Sequence, residues 1–138
     1  DERYTKGFVT PKQIIDYVEH NEGFIKHNNM HVEELNDKQC KMSIELTEVS
    51  LNPNQTAHGG LIFGLADTTM GLLARTTGRN VVTINSQIDY LKTCKGSKII
   101  CIEKIIKVRK TTAVYRSNIY TEENILAATV TGTYFFID

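Results

Sequence analysis

Tryptophan is absent from this sequence, proline occurs twice, and the 3 cysteines are odd in number. Cys40, Cys94 and Cys101 form neither a Cys-x-x-Cys pair nor a His-containing metal spacing, which argues against a disulfide framework and a zinc site. They read as reduced packing residues, and thiols kept reduced point to the cytoplasm. An excess of one charge is also missing. The 16 basic and 16 acidic side chains cancel, so no global field draws the chain to nucleic acid or to a membrane surface. The longest run of low polarity, 59–74, is shorter than the roughly 20 residues of a membrane span and contains Asp67, Thr68 and Thr69. The charged opening residues lack the apolar core of a secretion signal. Residues 1–9 read as a flexible tail on one domain spanning 1–138, a length that buries roughly two-thirds of its unfolded surface.

What is present is periodic. Thr10-Pro11-Lys12-Gln13 has capping-box spacing with proline at the first helical position, and Ile14, Ile15 and Val18 follow at helical intervals. A short amphipathic helix is expected over 11–22. Stretches 30–35 and 38–46 alternate around Asn36-Asp37 and suggest a hairpin, with Met42, Ile44 and Leu46 on one face. Residues 58–77 are apolar around nearly the whole helical circumference, with Gly78 as a stop, so that helix must be wrapped by other structure. From Val81 the period becomes two, in runs 81–91, 98–108, 112–120 and 125–137, separated by short segments that suit a four-strand meander. The expected fold is α+β: a curved antiparallel sheet around one long central helix, with a short N-terminal helix. No repeat, low-complexity tract or linker interrupts it.

One charged side chain lies between His58 and Arg75, and it is Asp67. An ionised carboxylate buried without a partner is strongly disfavoured. Thr68, Thr69 or Arg75 could satisfy it locally, so Asp67 alone decides nothing. His58-Gly59-Gly60, however, opens the same helix, where backbone N–H groups without intrahelical acceptors meet the positive end of the helix dipole and can cradle an oxyanion. Gly59 and Asp67 are about 12 Å apart along the helix axis, too far to serve one reacting carbon in one subunit. Two antiparallel central helices from two copies would close that gap twice by symmetry.

The run Asn52, His58, Gly59, Gly60 and Asp67, in the pattern Asn-x5-His-Gly-Gly-x7-Asp, resembles the signature of hotdog-fold acyl-CoA thioesterases of the phenylacetate-degradation type. The resemblance covers roughly residues 30–138. It implies that Asp67 is the catalytic carboxylate, as nucleophile or as general base toward water, and that the Gly59 N–H polarises the thioester carbonyl. His58 and Asn52 would line the site, and Thr83 would hold the lytic water beside Asp67. Asn54 competes with Asn52 for its role, and Asn85 with Thr83. Where the family often has glycine before His-Gly-Gly, this chain has Gln55-Thr56-Ala57. The family's site lies between subunits, which implies at least a dimer, or a dimer of dimers.

For substrate contact the candidates are Gly60, Phe63, Met70, Asn85, Arg109 and Lys110. Phe63, Met70 and Leu73 suit a pocket or a core equally well, and Lys104, Lys107, Arg109 and Lys110 suit a solvated hairpin end or the phosphates of coenzyme A. No metal and no separate cofactor is expected, since coenzyme A would enter with the substrate. His27 and His31 have i, i+4 spacing, but the intervening Asn28-Asn29 suggests a loop. The expected activity is hydrolysis of an acyl-CoA thioester to a free acid and coenzyme A. The alternative is a non-catalytic acyl-CoA-binding module, against which Asp67 argues.

Overall fold

The computed structural model describes residues 10–137, so the tail expected at 1–9 lies outside the described residues. Helix α1, Pro11–Asn21, begins as its capping chemistry dictates. The Thr10 side chain accepts from the Gln13 N–H while the Gln13 side chain accepts from the Thr10 N–H, and Ile14 and Val18 turn inward. A one-turn helix that the periodicity did not disclose, α2, Gly23–His27, follows at once. It ends before Asn29, whose φ of 54° reverses the chain, so His27 and His31 share no helix face.

Strands β1, Met30–Leu35, and β2, Gln39–Glu45, form the expected hairpin. Its turn is held by Asn36 Oδ1, which accepts the N–H groups of Lys38 and Gln39. Cys40, Met42 and Ile44 are fully buried, whereas Leu46 lies beyond the strand and is only partly covered. The long helix α3, Gly59–Arg75, comes next, with Ile62, Leu65, Ala66, Met70 and Leu73 buried. The sheet supplies that cover with β3, Val81–Tyr90, β4, Lys98–Val108, β5, Thr112–Thr121, and β6, Leu126–Phe136.

All pairings are antiparallel, in the order β1-β2-β4-β5-β6-β3. The four-strand meander therefore needs correction: β4, β5 and β6 are consecutive neighbours, but β3 lies at the far edge beside β6. Segment 91–97 makes this possible. It reaches about 23 Å when extended, against about 14 Å for three strand spacings. Its crossing is pinned where Leu91 and Lys92 donate to the Ala127 carbonyl and the Cys94 carbonyl accepts from Ala57. The sheet curls around α3 with β1 and β3 as its edges. The three cysteines are free and buried. Among the described residues no helix is long and apolar enough to cross a membrane.

Candidate active site

The start of α3 is built by the loop before it. Asn52 Oδ1 accepts the N–H groups of Asn54 and Thr56, and its Nδ2 donates to Thr56 Oγ1. This fold of the loop puts Gln55 at a φ of 62°, a conformation glycine adopts without strain. His58 then caps the helix. Its Nδ1 accepts the Gly60 N–H at 2.9 Å, which places the ring proton on Nε2. The His58 carbonyl takes the N–H groups of Leu61 and Ile62. The expected cradle of several donors thereby narrows to one, because among the described residues only the Gly59 N–H of this first turn has no acceptor. Tyr90 donates to the Gly59 carbonyl at 2.7 Å, and a Cβ at Gly59 would lie 3.2 Å from the Tyr90 hydroxyl. Asn52, Gly59, Ile62, Tyr90 and Lys92 line a cleft of about 320 Å³ here, and the Asn54 side chain faces solvent outside it.

Asp67 opens into a different cleft, of about 300 Å³, with apolar walls from Val18, Phe24, Ile25, Leu72 and Val81 and polar ones from Glu22, Thr68, Arg75, Thr83 and Tyr134. Its partners come from strands and not from its own helix. Thr83 Oγ1 donates to Asp67 Oδ1 at 3.1 Å. The Tyr134 hydroxyl lies 2.9 Å from the Asp67 carbonyl and 3.4 Å from Oδ1. Among the described residues Oδ2 has no partner. Thr69 instead donates to the Leu65 carbonyl, and Arg75 reaches Asn80 Oδ1 at 2.6 Å. Burial lowers the Arg75 pKa, against the raising effect of Glu22.

The chain thus brings Thr83 to Asp67 but leaves Gly59, His58 and Asn52 two helical turns away. Asn85 follows a bulge at Ile84, pairs with Thr133 in the ladder and is exposed, so Thr83 alone occupies the position beside the carboxylate. Gly60 is exposed and its N–H is occupied by His58. Phe63 is half-buried on α3. Met70 and Leu73 are fully buried in the protomer core, which corrects the assignment of Met70 to substrate contact. Arg109 and Lys110 are exposed at the β4–β5 turn. The cross-sheet row Thr83, Tyr134, Ala113, Val108 puts that turn at the same end of the sheet as Asp67, about 14 Å away laterally.

Two groups escaped the reading of the sequence. Tyr134 falls on the inward face of β6 with Ala128 and Val130, and Glu103 on the inward face of β4 with Ile99 and Cys101. A polar residue at an inward position of the period-two pattern was the available signal. Glu103 accepts from Ser117 through Oε2, while among the described residues Oε1 and the Tyr115 hydroxyl find no partner. Burial pushes the Glu103 carboxyl up to about 9, so it is neutral at physiological pH.

The family model of the thioesterase superfamily matches residues 54–128, from the loop before α3 into β6. The chain belongs to the thioesterase superfamily. This thioester hydrolase is similar to a candidate esterase of Archaeoglobus fulgidus, 25% identical over 128 residues, which cover 92% of this chain and 83% of the relative. Its hotdog fold superposes on the PaaI protein from the phenylacetic acid degradation operon of Escherichia coli with a TM-score of 0.88 at 22% identity, over 93% and 94% of the two chains. A thioesterase-family protein of Streptococcus pneumoniae, solved with coenzyme A, aligns with a TM-score of 0.76 at 29% identity over 79% and 86% of the chains. That pneumococcal protein has also been crystallised with an aspartate and, separately, a threonine replaced by alanine, positions that lie 16 apart, as Asp67 and Thr83 do here.

Proposed function

We propose that this thioester hydrolase cleaves an acyl-CoA to a free carboxylic acid and coenzyme A at a site completed by a second copy of the chain. The observation that carries the proposal is the state of Asp67: Oδ1 is tied to Thr83 while Oδ2, which has no partner among the described residues, lies at a cleft where hydrolysis calls for a fixed donor to the developing oxyanion. The unpaired Gly59 N–H is such a donor, about 12 Å away along α3. Edge strand β3 exposes Val82 and Ile84, and a long apolar edge of this kind is normally covered. A copy paired along β3 lays its α3 antiparallel, with the two-fold axis near Phe63, midway between Gly59 and Asp67. Each Asp67 then meets the Gly59 of the other copy.

As general base, Oδ2 takes a proton from water while the water oxygen attacks the thioester carbonyl carbon, and the carbonyl electrons move onto an oxygen held by Gly59 N–H. Collapse restores the carbonyl and breaks the C–S bond, and the thiolate leaves with the proton from Asp67. As nucleophile, Oδ2 attacks that carbon directly, the thiolate departs, and water hydrolyses the mixed anhydride. Neither route calls for a metal. The exposed Arg109 and Lys110 are the cations this reading assigns to the phosphates of coenzyme A, and buried free thiols suit a reducing, cytoplasmic setting. Coenzyme A in the pneumococcal relative and the substituted pair 16 residues apart support this reading. The test is release of free thiol from short, long and aryl acyl-CoAs, with Asp67→Asn as control. Binding of acyl-CoA without thiol release would leave a binding module in place of an enzyme.

A further inference from the structure

The structure assigns Tyr134 as a positioning residue: with Thr83 it clamps Asp67 so that Oδ1 is held and Oδ2 alone is presented to the substrate. This inference rests on the role of Asp67 proposed above.

Thr83 and Tyr134 are cross-strand partners in the β3–β6 ladder. One rung of the sheet therefore carries both donors. The Tyr134 hydroxyl spans the helix turn at Asp67, 2.9 Å from the main-chain carbonyl and 3.4 Å from Oδ1. It holds the backbone of the catalytic turn and limits rotation of the carboxylate at the same time. The tyrosine is itself held from behind. Its ring meets Tyr115 edge to face, with centroids 5.9 Å apart and planes at 84°.

The phenol also keeps its proton. Burial first, then the charge of Asp67, raise its pKa, with Glu103 adding to the effect and the hydrogen bond to Thr83 opposing it. The charged and titratable neighbours are Asp67 and Arg75 on α3, Glu103 on β4 and Tyr115 on β5. Tyr134 therefore stays protonated and can act as a donor. A carboxylate free to rotate would offer either oxygen at varying angles, and misplacement of a reacting group by about 1 Å can cost on the order of 10²-fold.

Tyr134→Phe removes the hydroxyl and keeps the ring that packs on Tyr115. The expected result is a fall in kcat of about 10- to 100-fold with KM within about twofold. Tyr115→Phe, which touches the ring but not Asp67, should leave kcat near wild type. In a double-mutant cycle, Tyr134→Phe and Thr83→Val should be less than additive, since each loosens the same oxygen. Unchanged kcat in Tyr134→Phe, full additivity of Tyr134→Phe with Thr83→Val, or an equal loss in Tyr115→Phe would overturn the assignment. A wild-type protein without thioesterase activity, or an active Asp67→Asn, would instead remove the functional reading beneath it.

Discussion

Glu103 turns burial into a pH-dependent stability that can be worked out in advance. Its carboxyl sits on the concave face of β4, fully buried, with Ser117 as donor to Oε2 and, among the described residues, no partner on Oε1. Desolvation raises it from an ordinary 4.5 to about 9. In the unfolded chain the group ionises above 4.5, while in the folded chain it stays protonated until about 9, so the folded state binds the extra proton throughout that window. The contribution of Glu103 is fully present below the lower value and is lost as pH rises toward the upper one. Within the window the slope is about 1.4 kcal/mol per pH unit. Between pH 5.5 and 8.0 the expected loss is about 3 kcal/mol, on the order of 10 °C in Tm for a domain of this size. Glu103→Gln keeps an acceptor for Ser117 and does not titrate. Thermal melts of both proteins in steps across that range cancel the four histidines and the surface groups common to both. The wild-type curve should fall against the variant by about 3 kcal/mol; parallel curves would refute a neutral buried Glu103.

Other expectations concern the site. Asp67→Asn keeps shape and should leave Tm within a few degrees while turnover drops by at least about 10²-fold; near-normal thiol release would remove Asp67 from the chemistry. Mixed dimers of Asp67→Asn chains with inactive Asn52 or His58 variants should regain activity after verified subunit exchange, because one of the two sites is then intact, and no recovery would count against a shared site. Gly71→Ala places a Cβ 3.7 Å from the Tyr134 hydroxyl, an ordinary contact, and should stabilise α3 by up to about 1 kcal/mol. Gly71 lines the Asp67 cleft, so the added methyl should raise KM for the bulkiest acyl chains first, and a lowered Tm would show the packing around Gly71 to be tighter than this.

Local chemistry made much of this protein legible without coordinates. Thr10 and Gln13 declared the start of α1, period two declared the strands, and Asp67 stood out as the one charge in an apolar helix whose first turn is His58-Gly59-Gly60. Those signals lie within a few residues of one another, where backbone geometry alone relates them. Strand neighbours are different. Every strand offers the same N–H and C=O groups, so alternation tells which side chains share a face but not which strand lies alongside, and β3 moved from beside β4 to beside β6. That move is what sets Thr83 and Tyr134 on one rung, 16 and 67 residues from the carboxylate they hold. Burial decided the rest: Met70 went into the core, Glu103 took an inward position where only a protonated carboxyl is stable, and the length of α3 left Gly59 and Asp67 apart within one chain.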